Sequence, residues 1–290
     1  MNAMGVRPRY RYRKLAVLGQ GGMADVFQCA VVTEFGGAVG GASYAVKILR
    51  ELRDAEQRRR FQREATLLAK LRHPNLMPII AIHVDADPPF YVMPVMKESL
   101  ADHLERMRRT GKLYRAMHAI NAFLLPISGA VEYLHGHGVV HRDIKPGNIL
   151  LDPAGRPFLS DLSICHVSRF GQVELTWCGM GTPRYTAPET LRTGKATFRS
   201  DIFSLGVVLY ELLTGRIAEG TWWTNGRNLP SVQHPTSCHP YVDEVIAIMT
   251  HPDPGRRYTS VSAVIRDMRV LSANYLPLMP AYRRVPPERL

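Results

Sequence analysis

The stretch His-Arg-Asp-Ile-Lys-Pro-Gly-Asn-Ile-Leu-Leu occupies residues 141–151 and brings the polar side chains of Asp143, Lys145 and Asn148 within six positions. Apolar residues flank these three on both sides. Polar groups held between buried strands are typical of a catalytic loop on a rigid scaffold. We therefore take this stretch as the predicted centre of an active site and compare the rest of the chain with it.

The composition is that of a globular protein with room for one two-lobed domain or two small ones. Of its 290 residues, 46% are hydrophobic and 21% are charged, as in ordinary soluble domains. No uninterrupted apolar run is long enough to span a bilayer, and the basic N-terminus lacks the apolar core of a secretion signal. Four scattered cysteines have neither metal-site spacing nor a disulfide framework, which favours a reducing cytoplasm.

The chain carries a formal net charge of +12, with basic clusters at residues 7–14 and 58–60. Such clusters can contact nucleic acid or anionic lipid. They also fit solvated faces that attract acidic or phosphorylated partners. We favour this second interpretation, because no nucleic-acid-binding motif accompanies the charge.

The segment from Leu15 to Val32 predicts two strands joined by a glycine-rich turn, Gly-Gln-Gly-Gly-Met-Ala, at residues 19–24. Glycine lets the backbone approach phosphate oxygens with its N–H groups turned towards them. Taken alone, the turn favours a plain hairpin over a phosphate-binding loop.

A short strand, Tyr-Ala-Val-Lys-Ile-Leu at residues 44–49, carries Lys47 among apolar neighbours. By itself this lysine fits an edge-strand charge. A helix is predicted from an N-cap at Asp54 to about Leu71, and it places Glu64 within an apolar stripe. A carboxylate on a buried stripe is costly unless it is paired, and Lys47 is its natural partner.

Two apolar strands are predicted next, around residues 77–84 and 90–92, and helices are predicted over Leu100–Met107 and Ala119–His135. These helices deliver the chain to the catalytic stretch. Farther on, the apolar segment beginning near residue 200 predicts a central helix with Asp201 as its N-cap and Gly215 just past its end.

These stretches together resemble the protein kinases, in particular bacterial serine/threonine kinases of the eukaryotic type. Residues 141–148 match the family's catalytic-loop signature H-R-D-x-K-x-x-N. Residues 44–47 resemble the V-A-I-K strand of the same family. Asp161-Leu-Ser stands where the family has Asp-Phe-Gly. Later, residues 181–189 resemble the G-T-x-x-Y-x-A-P-E ending of the activation segment, and residues 253–257 resemble D-P-x-x-R. The resemblance covers roughly residues 12–271.

The fold implied by the resemblance is α+β and bilobal, with a small β-rich N-lobe, one main helix in that lobe, and a mostly helical C-lobe. The implied boundaries are a basic tail at 1–11, the N-lobe with its hinge at 12–96, the C-lobe at 97–275, and a tail containing proline and arginine at 276–290. ATP would bind between the lobes.

The resemblance also implies a role for each matching residue. Asp143 would accept or orient the proton of the substrate hydroxyl, and Lys145 would neutralise charge on the γ-phosphoryl group. Lys47, held by Glu64, would bind the α- and β-phosphates. Mg²⁺, or Mn²⁺ in its place, would be bound by Asn148 and Asp161. The residues implied for ATP binding are Gly19, Gly21, Gly22, Val26, Ala45, Lys47, Met93, Pro94, Met96 and Leu150.

Further residues are implied to act in regulation or architecture. Arg142 would pair with a phosphorylated residue of the activation segment. Thr176 is the best candidate phosphorylation site, although most threonines in a polar loop are merely solvated. Thr182 would contact the catalytic aspartate and lysine. The implied structural residues are Glu189, Asp201 and Arg257.

The expected function is transfer of the γ-phosphoryl group of Mg·ATP to serine or threonine hydroxyls of proteins, with autophosphorylation. Lys145 and Thr182 favour these hydroxyls over tyrosine. Three departures from the family pattern, Ala24, Leu162 and Ser163, motivate the alternative of a pseudokinase that binds nucleotide and acts as a scaffold or allosteric partner. A small-molecule kinase and a basic nucleic-acid-binding module are two further candidates.

Overall fold

The computed structural model describes residues 11–20, 24–32, 38–50, 55–112, 114, 116–161, 172–174, 183–216 and 240–275. The chain divides into two compact units. The first comprises the chain up to Arg72 together with Met77–Met96. The second comprises His73–Leu76 together with the chain from Lys97 onward.

The first unit is built on an antiparallel sheet, which has five strands in the described residues, in the order β1-β2-β3-β5-β4. The strands are β1 (Arg11–Gln20), β2 (Ala24–Val32), β3 (Ala38–Leu49), β4 (Ala81–His83) and β5 (Phe90–Pro94). Its helix, α1, spans Ala55–Leu68. In the sheet Lys47 lies opposite Tyr91 and Ala45 lies opposite Met93. Lys47 is therefore next to the N-terminal half of β5.

Two predicted elements of the first unit are shorter than expected. The strand predicted over residues 77–84 forms only at Ala81–His83, because Pro78 has no N–H to donate to a ladder. The helix predicted to reach Leu71 ends at Leu68. Beyond it the N–H groups of Lys70 and Leu71 bond three residues back, which tightens the final turn. Asp54, the predicted N-cap, lies outside the described residues.

The second unit is mostly helical, as expected for a C-lobe. Its described helices are α2 (Leu100–Arg109), α3 (Ala116–Ala119), α4 (Leu125–Gly136), α5 (Pro188–Thr193), α6 (Phe198–Thr214), α7 (Pro240–Met249) and α8 (Val261–Tyr275). Strands β6 (Glu98–Ser99), β7 (Ile149–Leu151) and β8 (Pro157–Leu159) form one small antiparallel sheet, and β9 (Gln172–Glu174) pairs with β10 (Lys195–Thr197).

The helix predicted over Ala119–His135 is interrupted. A π-helical turn at Ile120–Leu124 lies between α3 and α4. There the N–H of Leu125 bonds to the carbonyl of Ile120, five residues back. Pro126 follows immediately, and because proline has no N–H it cannot continue the regular ladder of an α-helix.

Helix α6 is the central helix of the second unit, and nearly every residue along it is buried. The prediction that Asp201 caps this helix is wrong. The helix begins at Phe198, after Thr197, whose backbone N–H donates to Ser200 Oγ at 3.0 Å. Asp201 therefore lies in the first turn, where its carboxylate is free to bond elsewhere. Gly215, predicted to end the helix, does so with φ of 65°.

No helix in the described ranges is long and apolar enough to cross a membrane. The tail expected at 276–290 lies outside those ranges. So does the tail expected at 1–11, except for its last residue, Arg11, which begins β1.

A close approach between α6 and the end of α7 yields the first testable prediction. A Cβ placed on Gly206 would lie 2.7 Å from Thr250 Cγ2 and 2.8 Å from Met249 Cβ. We expect Gly206→Ala to lower the free energy of unfolding by about 1–3 kcal/mol, because a buried methyl group must force the two helices apart. Urea denaturation followed by circular dichroism measures this change.

Gly136→Ala is the matched control. This glycine ends α4, and no atom lies within 4 Å of the position that a Cβ would take there. Alanine is therefore expected to leave stability unchanged or to raise it by up to about 1 kcal/mol. Equal losses in both variants would show that the packing of α6 does not depend on Gly206.

Candidate active site

The catalytic stretch follows α4 and ends with β7, and His141 fixes its first turn. His141 is fully buried, and burial lowers the pKa of its imidazole, which favours the neutral ring. Its Nδ1 accepts the backbone N–H of Asp143 at 3.3 Å, and its Nε2 lies 3.1 Å from the carbonyl oxygen of Ser160. The neutral ring satisfies both contacts when Nε2 carries the proton.

The three polar side chains singled out in the sequence are in mutual contact. Lys145 Nζ lies 2.7 Å from Asp143 Oδ2. The amide nitrogen of Asn148 donates to the same carboxylate oxygen at 2.8 Å and to the backbone carbonyl of Asp143 at 2.7 Å. An ammonium and an amide thus orient one carboxylate, which leaves Asp143 Oδ1 outside these two contacts.

Asp201 holds the backbone of the catalytic stretch from α6. Its Oδ2 accepts the N–H of His141 and its Oδ1 accepts the N–H of Arg142, each at 2.9 Å. The side chain of Asp201 is completely buried. Burial raises the pKa of this carboxyl, but the hydrogen bonds from His135 and from the backbone outweigh burial, so the pKa lies below its ordinary value of 3.8.

Two residues of the candidate site, Arg142 in the catalytic stretch and Asp161 after β8, have backbone conformations that side chains disfavour. Arg142 has φ of 74° and Asp161 has φ of 61°, both in the left-handed region, which costs an ordinary residue roughly 1–2 kcal/mol. Such conformations persist only where the surroundings fix them. At Arg142 the hydrogen bond to Asp201 supplies that constraint.

His135 was missed in the sequence analysis. It lies in the last turn of α4, its Nε2 is 2.8 Å from Asp201 Oδ2, and its ring stacks on Phe198 with a centroid separation of 4.2 Å. A histidine six residues before the catalytic stretch was the available signal. Nothing local in the sequence identifies its partner, which is 66 residues away.

The residues expected to bind a divalent cation fit that role chemically. The amide nitrogen of Asn148 is directed at Asp143, so Asn148 can offer a cation only its amide oxygen. Asp161 adds a half-buried carboxylate. The described residues contain no cluster of three or more His, Cys, Asp or Glu side chains that could hold a metal ion. The amide oxygen of Asn148 and the carboxylate of Asp161 match Mg²⁺, which protein sites hold with one or two carboxylates together with phosphate oxygens.

In the first unit, the residues expected to bind ATP lie on neighbouring strands. Gly19 on β1 pairs with Val26 on β2, and Val26 pairs in turn with Lys47 on β3. Ala45 lies two positions before Lys47 and is buried. The side chain of Lys47 is nearly buried, at 9% exposure of the residue.

The expected hinge follows β5. Met93 is buried and Pro94 ends the strand, and Met96 is the last residue of the first unit. Leu150, expected to contact the nucleotide, lies on β7 of the second unit opposite Ser99.

Four expected site residues lie outside the described residues: Gly21, Gly22, Thr176 and Thr182. Two of the departures from the family pattern, Leu162 and Ser163, lie outside them as well. The backbone of Glu64 lies on α1, but its side chain is likewise outside them. The roles expected for these residues stay predictions.

The ion pair expected between Glu189 and Arg257 is present in bidentate form, with contacts of 2.7 and 2.8 Å. The Arg257 side chain has no solvent exposure. Its remaining N–H groups donate to the carbonyls of Arg199, His251 and Pro252. All five guanidinium donors are therefore satisfied, which is the condition for burying this charge.

The chain belongs to the protein kinase domain family, whose model matches residues 12–268. The match covers most of the chain, and it confirms the predicted bilobal α+β fold.

Within this family the chain is similar to bacterial serine/threonine-protein kinases. It is 35% identical to the DNA damage-responsive kinase RqkA of Deinococcus radiodurans over 212 residues, 71% of this chain and 30% of that protein. It is 33% identical to PrkC of Bacillus subtilis over 276 residues, 92% of this chain and 41% of that protein. It is 30% identical to PknA of Mycobacterium tuberculosis over 298 residues, 99% of this chain and 67% of that protein. The chain thus spans well under half the length of the first two relatives.

The bonding of Asp201 yields a second testable prediction. Asp201→Asn removes a buried charge and turns an amide N–H towards a backbone N–H, so we expect a loss of about 3 kcal/mol in the free energy of unfolding. Because the pKa of Asp201 is lowered in the folded state, its contribution is complete above pH 3.8 and is lost as the pH falls further. The difference between wild type and variant should therefore narrow below that pH, as measured by urea titrations across the acid range.

Asp102→Asn is the control for the same chemical change. Asp102 is exposed and caps α2 together with Ser99, so its substitution is expected to cost less than about 1 kcal/mol. If both variants lost the same stability, the buried bonds of Asp201 would not be what holds the catalytic stretch.

Proposed function

We propose that this chain is a protein serine/threonine kinase that transfers the γ-phosphoryl group of Mg·ATP to hydroxyls of protein substrates and also phosphorylates itself. The single observation that carries the proposal is the contact of Lys145 and Asn148 with one carboxylate oxygen of Asp143. A loop held in this way serves to position a carboxylate at a reacting hydroxyl.

In the proposed reaction, Asp143 orients the substrate hydroxyl and takes up its proton. The hydroxyl oxygen bonds to the γ-phosphorus while the bond from that phosphorus to the β–γ bridging oxygen breaks, and ADP leaves. A carboxylate fixed by two donors at Oδ2 can accept that proton at Oδ1 without first reorganising. Lys145 stays beside it as a positive charge for the phosphoryl oxygens.

The first unit supplies the proposed nucleotide-binding residues. Gly19 and Val26 lie opposite each other on β1 and β2, and Lys47 on β3 provides the cation for the α- and β-phosphates. Pro94 cannot donate a backbone hydrogen bond to the adenine, so we assign that donor to Met96. Leu150 and Met93 supply apolar contacts.

Asn148 and Asp161 are the proposed ligands of Mg²⁺, with Mn²⁺ as a substitute of similar oxygen preference. When bound, the cation neutralises charge on the phosphate oxygens. The protein's part is to hold one amide oxygen and one carboxylate in place, and the bond from Asn148 to Asp143 supports this role for the amide.

Substrates, partners and location belong to the same proposal. The relatives' names support serine and threonine as acceptors. The +12 net charge supports anionic partners, and among these we favour acidic or phosphorylated proteins because no nucleic-acid-binding motif accompanies the charge. A cytoplasmic location is supported by the cysteine pattern, and Cys29, in the described residues, is a buried free thiol. Thr176 is the proposed site of self-phosphorylation, with Arg142 as a candidate partner for the phosphate.

The test is phosphate transfer in vitro. Purified wild type is incubated with Mg·ATP and a generic basic protein, and phosphorylated residues of both proteins are mapped by mass spectrometry. We expect phosphoserine and phosphothreonine, and a fall of about 100-fold or more in rate for Asp143→Asn, because a general base typically contributes that much.

Asp152→Asn serves as the matched control. Asp152 lies in the turn between β7 and β8, where it accepts bonds from Ala154 and Arg156, and its variant should keep a rate within a few-fold of wild type. Absence of transfer by wild type, together with a nucleotide-dependent rise in melting temperature, would replace the proposal with the pseudokinase alternative. Absence of both would reject nucleotide binding as well.

A further inference from the structure

Tyr91 occupies a position on β5 for which the proposed function has no role. It lies directly opposite Lys47 in the antiparallel pairing of β3 and β5. Its side chain is buried, with 2% of the residue exposed. A tyrosine is seldom buried so completely, so its place beside the proposed phosphate-binding lysine calls for a physical account.

The ring of Tyr91 lies under the ammonium group of Lys47. The distance from Lys47 Nζ to the ring centroid is 5.7 Å, within the 6 Å range over which an aromatic face attracts a cation. Lysine carries four rotatable bonds, and its head group needs support to stay at one position. The ring face supplies an attractive surface that is rigidly attached to the neighbouring strand.

The same ring also packs against α1. Phe61 stacks on Tyr91 with a centroid separation of 5.4 Å and an angle of 29° between the rings. Phe61 is also buried, at 2% exposure. It precedes Glu64 by three residues, and residues at this spacing lie on the same face of a helix. The stacking therefore links the Tyr91 ring to α1.

We propose that Tyr91 is a positioning residue that holds the Lys47 ammonium for the phosphates and couples it to α1 through Phe61. The inference rests on the proposed function, since it assigns a task to the lysine of that site. It adds a second link between α1 and Lys47, made of aromatic rings and separate from the expected ion pair with Glu64. Movement of α1 would be transmitted to Lys47 by ring contact.

The strand offers an internal control for this proposal. Phe90 is the neighbour of Tyr91 on β5, and successive side chains of a strand point to opposite faces of the sheet. The Phe90 ring contacts Tyr12 and His83, with centroid separations of 5.6 and 4.4 Å. Removing the ring at position 90 or at position 91 thus takes one aromatic group from the same strand, but only position 91 faces Lys47.

The experiment compares Tyr91→Leu, Tyr91→Phe and Phe90→Leu with wild type. We measure kcat/KM for ATP at a temperature below the unfolding transitions of all four proteins. The rise in melting temperature caused by ATP is measured separately for each protein. Tyr91→Leu is expected to lower kcat/KM for ATP about three- to thirty-fold, the range of a partly desolvated cation–π contact. Tyr91→Phe, which keeps the ring, should stay within about twofold of wild type, as should Phe90→Leu.

Two other outcomes would overturn the proposal, each in a distinct way. Equal losses in Tyr91→Leu and Phe90→Leu would make Tyr91 a residue of general sheet stability. A loss in Tyr91→Phe as large as in Tyr91→Leu would assign the effect to the hydroxyl and not to the ring. If wild type transfers no phosphate, the proposed function fails, and the ATP-dependent melting shift of the variants still tests the contact.

Discussion

The buried carboxylate of Asp201 is the constraint on which the catalytic stretch depends. It accepts two backbone N–H groups and contacts one imidazole in a place without solvent. Hydrogen bonds to an ionised group are stronger than those between neutral groups, and here they fix backbone atoms on both sides of the His141–Arg142 peptide bond. The left-handed conformation of Arg142 and the orientation of Asp143 just beyond it follow from that anchorage.

The polar groups of the catalytic stretch could be predicted from the sequence because their relation is local. Asp143, Lys145 and Asn148 fall within six positions, and their contacts follow from one turn of chain. The role of His135 could not be predicted, because its partner is 66 residues distant and histidines are common near helix ends. The role of Tyr91 could not be predicted for the same reason, because only the register of β3 against β5 places it opposite Lys47.

The errors in element boundaries also have physical causes. Thr197 and Asp201 are both favourable N-cap residues, and what decides between them is the burial of Asp201 against the catalytic stretch. The π-helical turn at Ile120–Leu124 could not be predicted from the spacing of apolar residues, because that spacing continues on both sides of the turn. Pro126 was the available sign. In the strand predicted over residues 77–84, Pro78 was a similar sign that the strand would be shorter.

The long sequence separations of these anchoring contacts matter for how the protein is made. Sixty residues separate His141 from Asp201, and sixty-eight separate Glu189 from Arg257. Chains emerge from the ribosome N-terminus first at roughly 5–20 residues per second. The catalytic stretch is therefore synthesised seconds before its anchor, and the buried Glu189 pairing forms later still. The observed conformation of the catalytic stretch needs Asp201, so the proposed catalytic activity cannot arise before that residue has been synthesised.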